Sequence, residues 1–276
     1  MKKNRIINSV SLFAIFIGII FVIYLPKEAK SVPASGNPTV FVHGFKGTHN
    51  SFGRLLDRFE YKYNWGNKAL VYRVNEAGRL QVYNLNKGKK EPVFVQVVFD
   101  DARASMTDTS RWLASVLAHM KSVYEIDTVN LVGHSMGGLV SLKYIVERAD
   151  RTHFPEVEKL ITIGSPFDGV YNKLYFNRNW GKALVDLQPG SRALDRLRKR
   201  KESVPDALQV LSIGSTGDAV AVPESVQTLK RIINKDQLTE IMIADRTLGH
   251  SEMHEDMRVD KLIHDFLAEP LAEVRH

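Results

Sequence analysis

Apolar residues follow two patterns along the chain. One is a series of short runs rich in β-branched and aromatic residues: Thr39 to Val42, Ala69 to Val74, Leu80 to Leu85, Val93 to Phe99, Val129 to Val132, Leu160 to Ile163, Leu208 to Ile213 and Thr239 to Ile243. Each has the length and composition of a strand. The other pattern has helical spacing. Trp112, Val116, Leu117, Met120 and Tyr124 share one side of a helix over Ser105 to Tyr124. Gly137 to Arg148 is a second helix, and Val259 to Leu267 closes the chain as an amphipathic one. Asn75-Glu76-Ala77-Gly78 is turn-like, so the runs flanking it are expected to pair as a hairpin, and Asn86 to Pro92 is a polar, basic loop. Val93 to Phe99 is nearly all apolar, as a strand covered on both faces requires. Strands alternating with helices predict a mostly parallel sheet with helices on both faces.

This rhythm breaks between Gly164 and Pro205. The break is aromatic first (Tyr171, Tyr175, Phe176, Trp180) and basic later (Arg192, Arg196, Arg198, Lys199, Arg200, Lys201). A structureless loop of that length is unusual, so residues 165–205 are expected to form a small cap over the carboxyl ends of the strands. The aromatic residues either line a pocket or pack the cap down. The basic cluster reads first as a solvated face, with anionic lipid or wall polymer as the sharper reading.

The N-terminus has the order of an export signal. Lys2, Lys3 and Arg5 precede the uncharged, largely apolar run Val10 to Leu25, which Lys27, Glu28 and Lys30 end. As a helix these 16 residues reach ~24 Å, slightly short of a ~30 Å hydrocarbon core. A cleaved signal peptide and an uncleaved anchor both remain open for residues 1–31, with a possible cleavage site after Ser31. Residues 32–38, rich in Pro, Ser and Gly, read as a linker, 39–270 as the folded domain and 271–276 as a tail. The expected location is therefore outside the cell or at its surface, anchored through residues 10–25 if the signal persists.

Charge and composition change less than they first suggest. The net charge is +7, but residues 1–31 supply +4 of it, leaving +3 over the rest. Most of the basic excess is targeting, and no helix-turn-helix, RNP or zinc-finger signature accompanies it, so a nucleic-acid partner is not expected. The absence of cysteine excludes disulfides, thiolate metal sites and a catalytic thiol. Oligomeric state is not legible.

The chemistry centres on Gly133-His134-Ser135-Met136-Gly137, a G-x-S-x-G motif set between the strand Val129 to Val132 and a helix. A tight strand-to-helix turn lifts the Ser135 hydroxyl above the sheet, and the glycines permit the close backbone approach. A serine hydroxyl needs a base to become a nucleophile. On such a scaffold the chain order is serine, acid, histidine. Asp218, just past the strand ending at Ile213, is the first candidate acid; Asp168, one strand earlier, is second. His250, after the last strand, is the candidate base, and His254 is its rival. The two would share a face if helical, yet no HExxH pattern or further ligand is nearby, so neither metal nor organic cofactor is expected. His119, His153, His264 and His276 read as surface or interfacial histidines, and His134 as a packing residue. The oxyanion hole needs two amides, one from Met136 and one from the loop after the first strand, His43-Gly44-Phe45, where Phe45 is the candidate.

Val40 to Phe45, Leu131 to Gly138 and Gly214 to Val222 together resemble α/β-hydrolases of the lipase and esterase type. His250 to Glu255, followed by Val259 and Leu262-Ile263, resembles the histidine loop and final helix of small bacterial lipases, whose catalytic histidine takes the place of His250. Tyr124 to Leu131 and Thr162 to Gly169 look like an uncharacterised family of Gram-positive cell-surface α/β-hydrolases. The resemblance implies an α/β-hydrolase fold and a serine hydrolase acting on small-molecule or lipid esters. The same fold hosts acyltransferases, thioesterases and amidases, and a non-catalytic surface-binding module is the reading from another class.

Overall fold

A computed structural model describes residues 36–86, 91–147 and 152–269. The expected export segment 1–31, most of the linker, part of the basic loop before Pro92, Arg148, the tail 271–276 and His276 lie outside the described residues.

Eight strands form one sheet: β1 (Thr39–Val42), β2 (Asn67–Val74), β3 (Leu80–Asn84), β4 (Val93–Phe99), β5 (Thr128–His134), β6 (Glu156–Ile163), β7 (Gln209–Ser215) and β8 (Leu238–Ile243). Their spatial order is β3-β2-β4-β1-β5-β6-β7-β8. Only the β2–β3 hairpin is antiparallel; the other neighbours run parallel, with Phe41 of β1 level with Gln96 of β4 and Val132 of β5. All eight strands sit where the apolar runs predict them.

The inner strands β1, β4, β5, β6 and β7 are buried on both faces, which is why their sequences are so apolar. On one face Val40, Val42, Val95, Val97, Leu131 and Leu160 pack with Leu113, Leu117 and Met120 of α2 (Met106–Tyr124) and Leu139 and Leu142 of α3 (Met136–Glu147). On the other, Phe41, Val132, Ile161, Ile163 and Ile213 pack with Phe52, Leu55, Leu56 and Phe59 and with Val259 and Ile263 of α8 (Met257–Ala268). Alternate residues serving opposite cores is the period-two geometry of a strand. The α2 helix starts at Ser105, whose hydroxyl accepts from the Asp108 amide at 3.1 Å, and ends at Glu125 in the left-handed region.

No element is predicted between Val42 and Ala69. The structure places helix α1 (Asn50–Asp57) there, running into a π-turn over Arg58–Lys62. Its apolar residues have helical spacing, but His49 at its start makes no capping bond. Residues 165–205 hold three short helices, α4 (Lys173–Arg178), α5 (Ala183–Asp186) and α6 (Arg192–Arg198), with Asn172 and Ser191 capping the first and last. A one-turn helix, α7 (Pro223–Val226), follows β7. No helix among the described residues is long and apolar enough to cross a membrane.

Candidate active site

Strand β5 ends at His134, and Ser135 makes the turn into α3 with φ of +55°. A side chain rarely holds that conformation, which costs about 1–3 kcal/mol and must be secured by its surroundings. Two glycines make the turn possible. A Cβ on Gly137 would lie 2.0 Å from the Val42 carbonyl oxygen, and one on Gly133 would lie 2.4 Å from the Gly138 nitrogen. The Ser135 amide donates to the Ile163 carbonyl at 2.8 Å, tying the turn to β6.

The structure brings Ser135, His250 and Asp218 together. His250 Nε2 is 2.9 Å from Ser135 Oγ, and His250 Nδ1 is 2.7 Å from Asp218 Oδ2. A carboxylate only accepts, so Nδ1 carries the ring proton and Nε2 faces the serine hydroxyl as an acceptor. The other oxygen of Asp218 accepts from the amides of Val220 and Ala221, both at 2.8 Å, and the side chain is buried. Ser215, at the end of β7, donates to the Leu248 carbonyl at 2.7 Å, joining the acid's turn to the histidine's loop. Gly164, with φ of +53°, passes behind the pair, and a Cβ there would lie 3.0 Å from Asp218 Oδ2 and 3.4 Å from His250 Nδ1.

The other candidates go elsewhere. Asp168 accepts from Tyr171 at 2.5 Å and pairs with Arg198. His254 sets its ring 4.9 Å from that of His134 and lines the cavity over Ser135. His119 contacts the Tyr72 hydroxyl, and His264 lies against the Trp65 ring and Asp265. Among the described residues no three His, Cys, Asp or Glu side chains gather as a metal ion would require.

His134 does more than pack. Its Nε2 donates to the His250 carbonyl oxygen at 2.9 Å. Burial, then the neighbouring histidines, hold its pKa well below the usual histidine value. A single sequence gives no signal for this contact, because the acceptor is a backbone atom brought in by a distant loop.

The loop after β1 is fixed by a second buried histidine. His43 Nδ1 donates to the Gly44 carbonyl at 2.9 Å, and its Nε2 accepts from the Phe99 amide at 3.0 Å. Burial lowers its pKa, which keeps the ring neutral as the accepting Nε2 requires. Gly44 lies so close to the turn at Ser135 that a Cβ would sit 2.7 Å from the serine Cβ and 3.2 Å from the Met136 nitrogen. Phe45 follows at the cavity wall, while Met136 opens α3, so its amide is one of the helix's free N-terminal donors.

Above Ser135 is a cavity of about 240 Å³. Phe45, Tyr175 and Val220 line it with apolar surface, and Lys46, Ser51 and His254 with polar groups. Tyr175 of α4 meets the Phe45 ring at 6.1 Å, and burial pushes its hydroxyl up to about 12. The aromatic stretch therefore divides. Tyr175 lines the cavity, Phe176 packs on the core, and Trp180 is 69% exposed.

A family model described as "Alpha/beta hydrolase of unknown function (DUF915)" matches residues 26–270. The fold is similar to that of the gene lin2722 product of Listeria innocua, with 22% identity, 87% of this chain and 96% of that one covered, and a TM-score of 0.73. It is also similar to a "putative cell surface hydrolase" of Lactobacillus plantarum WCFS1 (21%, 87% and 95%, TM-score 0.67). A monoacylglycerol lipase of Paleococcus ferrophilus shares the architecture more distantly (15%, 83% and 93%, TM-score 0.52). The 1-acylglycerol-3-phosphate O-acyltransferase ICT1 of Saccharomyces cerevisiae is 24% identical over 153 residues, which is 50% of this chain and only 37% of that relative.

Proposed function

The chain belongs to the DUF915 family of α/β-hydrolases, and from that premise we propose that it is an exported serine hydrolase cleaving carboxylic esters through an acyl-enzyme. The observation that carries this reading is the unbroken relay from Ser135 Oγ to His250 to Asp218, with contacts of 2.9 and 2.7 Å. Ser135 Oγ attacks the acyl carbon while its proton passes to His250 Nε2. The carbonyl oxygen becomes an oxyanion held by the amides of Phe45 and Met136. When the bond to the alcohol breaks, His250 returns the proton to the departing oxygen. Water then enters, gives a proton to His250, attacks the acyl-enzyme and releases the acid and the free serine. Asp218 holds the imidazole tautomer and stabilises its cationic form. The short helices of residues 165–205 serve as a cap whose Tyr175 closes the acyl side of the cavity.

Export belongs to the same proposal, on the order of charges and apolar residues in 1–31, and the name of the Lactobacillus neighbour is in keeping with it. The test of the chemistry is labelling by a fluorophosphonate probe. The wild type is expected to label at Ser135, and Ser135→Ala and His250→Ala to remove or nearly remove the signal. Unchanged labelling in folded Ser135→Ala protein overturns the assignment. A second reading, acyl transfer to an alcohol, is favoured by the partial similarity to the yeast acyltransferase. Adding glycerol to the assay separates the two, because a transferase forms glyceride in preference to free acid.

A further inference from the structure

Two cations lie against the ring of Phe45, a residue of the cavity wall. Lys46 Nζ lies 5.9 Å from its centre and the Arg103 guanidinium carbon 5.4 Å. Neither side chain has a carboxylate partner among the described residues. Lys46 Nζ donates to Asn179 Oδ1 at 2.7 Å, and Arg103 Nη1 reaches the Trp180 carbonyl at 3.3 Å. The nearby acids are engaged: Asp101 accepts from the Arg103 amide at 2.9 Å, and Asp100 pairs with Arg73.

Both cations are also held in place. The Arg103 guanidinium carbon sits 4.2 Å from the centre of the Trp180 ring, so two aromatic rings flank it. The turn at Gly181 closes on its stem, where an added Cβ would lie 2.6 Å from the Arg103 Cβ. Contact with ring faces consumes none of the N–H donors of an arginine, so most of its five remain available at its edge. Lys46 has φ of +59°, and its amide is bound to the Ala102 carbonyl at 2.8 Å. Asn179, its side-chain partner, is bound in turn to the Tyr175 carbonyl at 2.8 Å. Positioned cations with free donors, packed on the ring of the residue whose amide is a proposed oxyanion donor, are suited to a fixed anionic group on the substrate.

We propose that the site takes esters bearing an anionic oxyacid group, phosphate or carboxylate, close to the scissile bond, with Lys46 and Arg103 as its receptors; the inference rests on the ester-hydrolase reading above.

Three butyryl esters test it: 1-butyrylglycerol, 1-butyrylglycerol 3-phosphate and O-butyrylglycolate. The expected result is a kcat/KM for the phosphate or carboxylate ester at least about tenfold above the neutral one, the scale of one hydrogen bond to a charged group. A preference for phosphate alone identifies a phosphate receptor, and a shared preference identifies a general oxyacid receptor. Lys46→Met and Arg103→Met should each cut the ratio of anionic to neutral turnover several-fold, and Lys235→Met, on a remote exposed turn, should leave the ratio alone. Equal turnover of all three esters by the wild type overturns the proposal, as does a ratio that neither Lys46→Met nor Arg103→Met changes. If no ester is turned over in a Ser135-dependent way, the hydrolase reading fails instead. The anion site is then decided by titrating inorganic phosphate against the Trp180 indole NMR signal: a saturable shift lost in Arg103→Met supports it, and no shift overturns it.

Discussion

The imidazole of His134 donates a 2.9 Å hydrogen bond to the backbone carbonyl of His250, and the two rings lie 4.8 Å apart. The residue before the proposed nucleophile thus holds the backbone of the proposed base. Replacing it with phenylalanine keeps the ring volume and strips the carbonyl of its donor. His134→Phe is expected to lose about 1–2 kcal/mol of stability and to lower kcat about 10-fold or more with a smaller change in KM. Denaturant melts and ester kinetics on the same preparation check this. An unchanged kcat would show that the loop is held by other contacts.

Asp218 has two separable duties. Oδ1 accepts the Val220 and Ala221 amides, and Oδ2 fixes the histidine tautomer. In Asp218→Asn the amide oxygen can keep the backbone bonds, but the NH₂ then faces His250 and favours a proton on Nε2. The expected result is a folded protein with kcat lowered by about 10⁴ and slow fluorophosphonate labelling. A loss below about tenfold would remove Asp218 from the mechanism.

The buried histidines dictate the sign of the pH dependence of stability. His43 and His134 are held below the ordinary histidine value of 6.5 when folded. Below about pH 6.5 the unfolded chain therefore binds more protons than the folded one, and stability falls as the pH is lowered. Each contributes at most about 1.4 kcal/mol per pH unit between the unfolded and folded values. Chemical denaturation at pH 7.5 and 5.5 should show the loss, and His134→Phe should flatten it. A stability that rises on acidification would contradict the assignment of both rings as neutral.

Most of this architecture is legible in the sequence because burial on both faces leaves little choice of residue. Phe41 serves one core and Val40 and Val42 the other, so β1 reads as a continuous apolar run. The turn at Ser135 is legible for a backbone reason: only glycine fits at 133 and 137. What escapes notice has weaker local signals. Helix α1 and the π-turn after it have Phe52, Leu55, Leu56 and Phe59 at the right spacing but no capping residue to mark the start. The partner of His134 is a carbonyl 116 residues away, and nothing in the side-chain order names it. The split of Tyr175 from Phe176 depends on which side of a six-residue helix faces Phe45, too short a helix for periodicity to decide.

Gly164 gives a prediction in which a single methyl group acts at the site. Its φ of +53° disfavours any side chain, and the new Cβ would lie 3.0 Å from Asp218 Oδ2. Gly164→Ala is expected to cost about 1–2 kcal/mol and to lower kcat by displacing the carboxylate from His250. If kinetics and Tm both match the wild type, the β6 turn is not a support for the acid.

The loop carrying His250 is anchored a few residues downstream by a buried ion pair, and its removal should be felt in stability before chemistry. Arg58 holds Asp260 in a fork, Nε to Oδ2 at 2.6 Å and Nη2 to Oδ1 at 2.8 Å. It also reaches Glu255 at 2.9 Å and the His254 carbonyl at 3.0 Å, while Tyr63 donates to Asp260 at 3.0 Å. Asp260 is 2% exposed, so Arg58→Met strands a carboxylate that water cannot reach. The expected loss is about 3 kcal/mol, with the Arg58 guanidinium's raised pKa, owed first to its bond with Asp260, as the sign of how firmly the charges are coupled. Replacing both partners, Arg58→Met with Asp260→Leu, removes the stranded charge and should recover much of that stability. Activity should not recover in step, because the His254 carbonyl and Glu255 remain without their donor. Urea titrations of the two single variants and the double variant, alongside ester kinetics, separate the effects. A double variant no more stable than Arg58→Met alone would mean that the cost lies in lost packing of the arginine stem rather than in the unpaired charge.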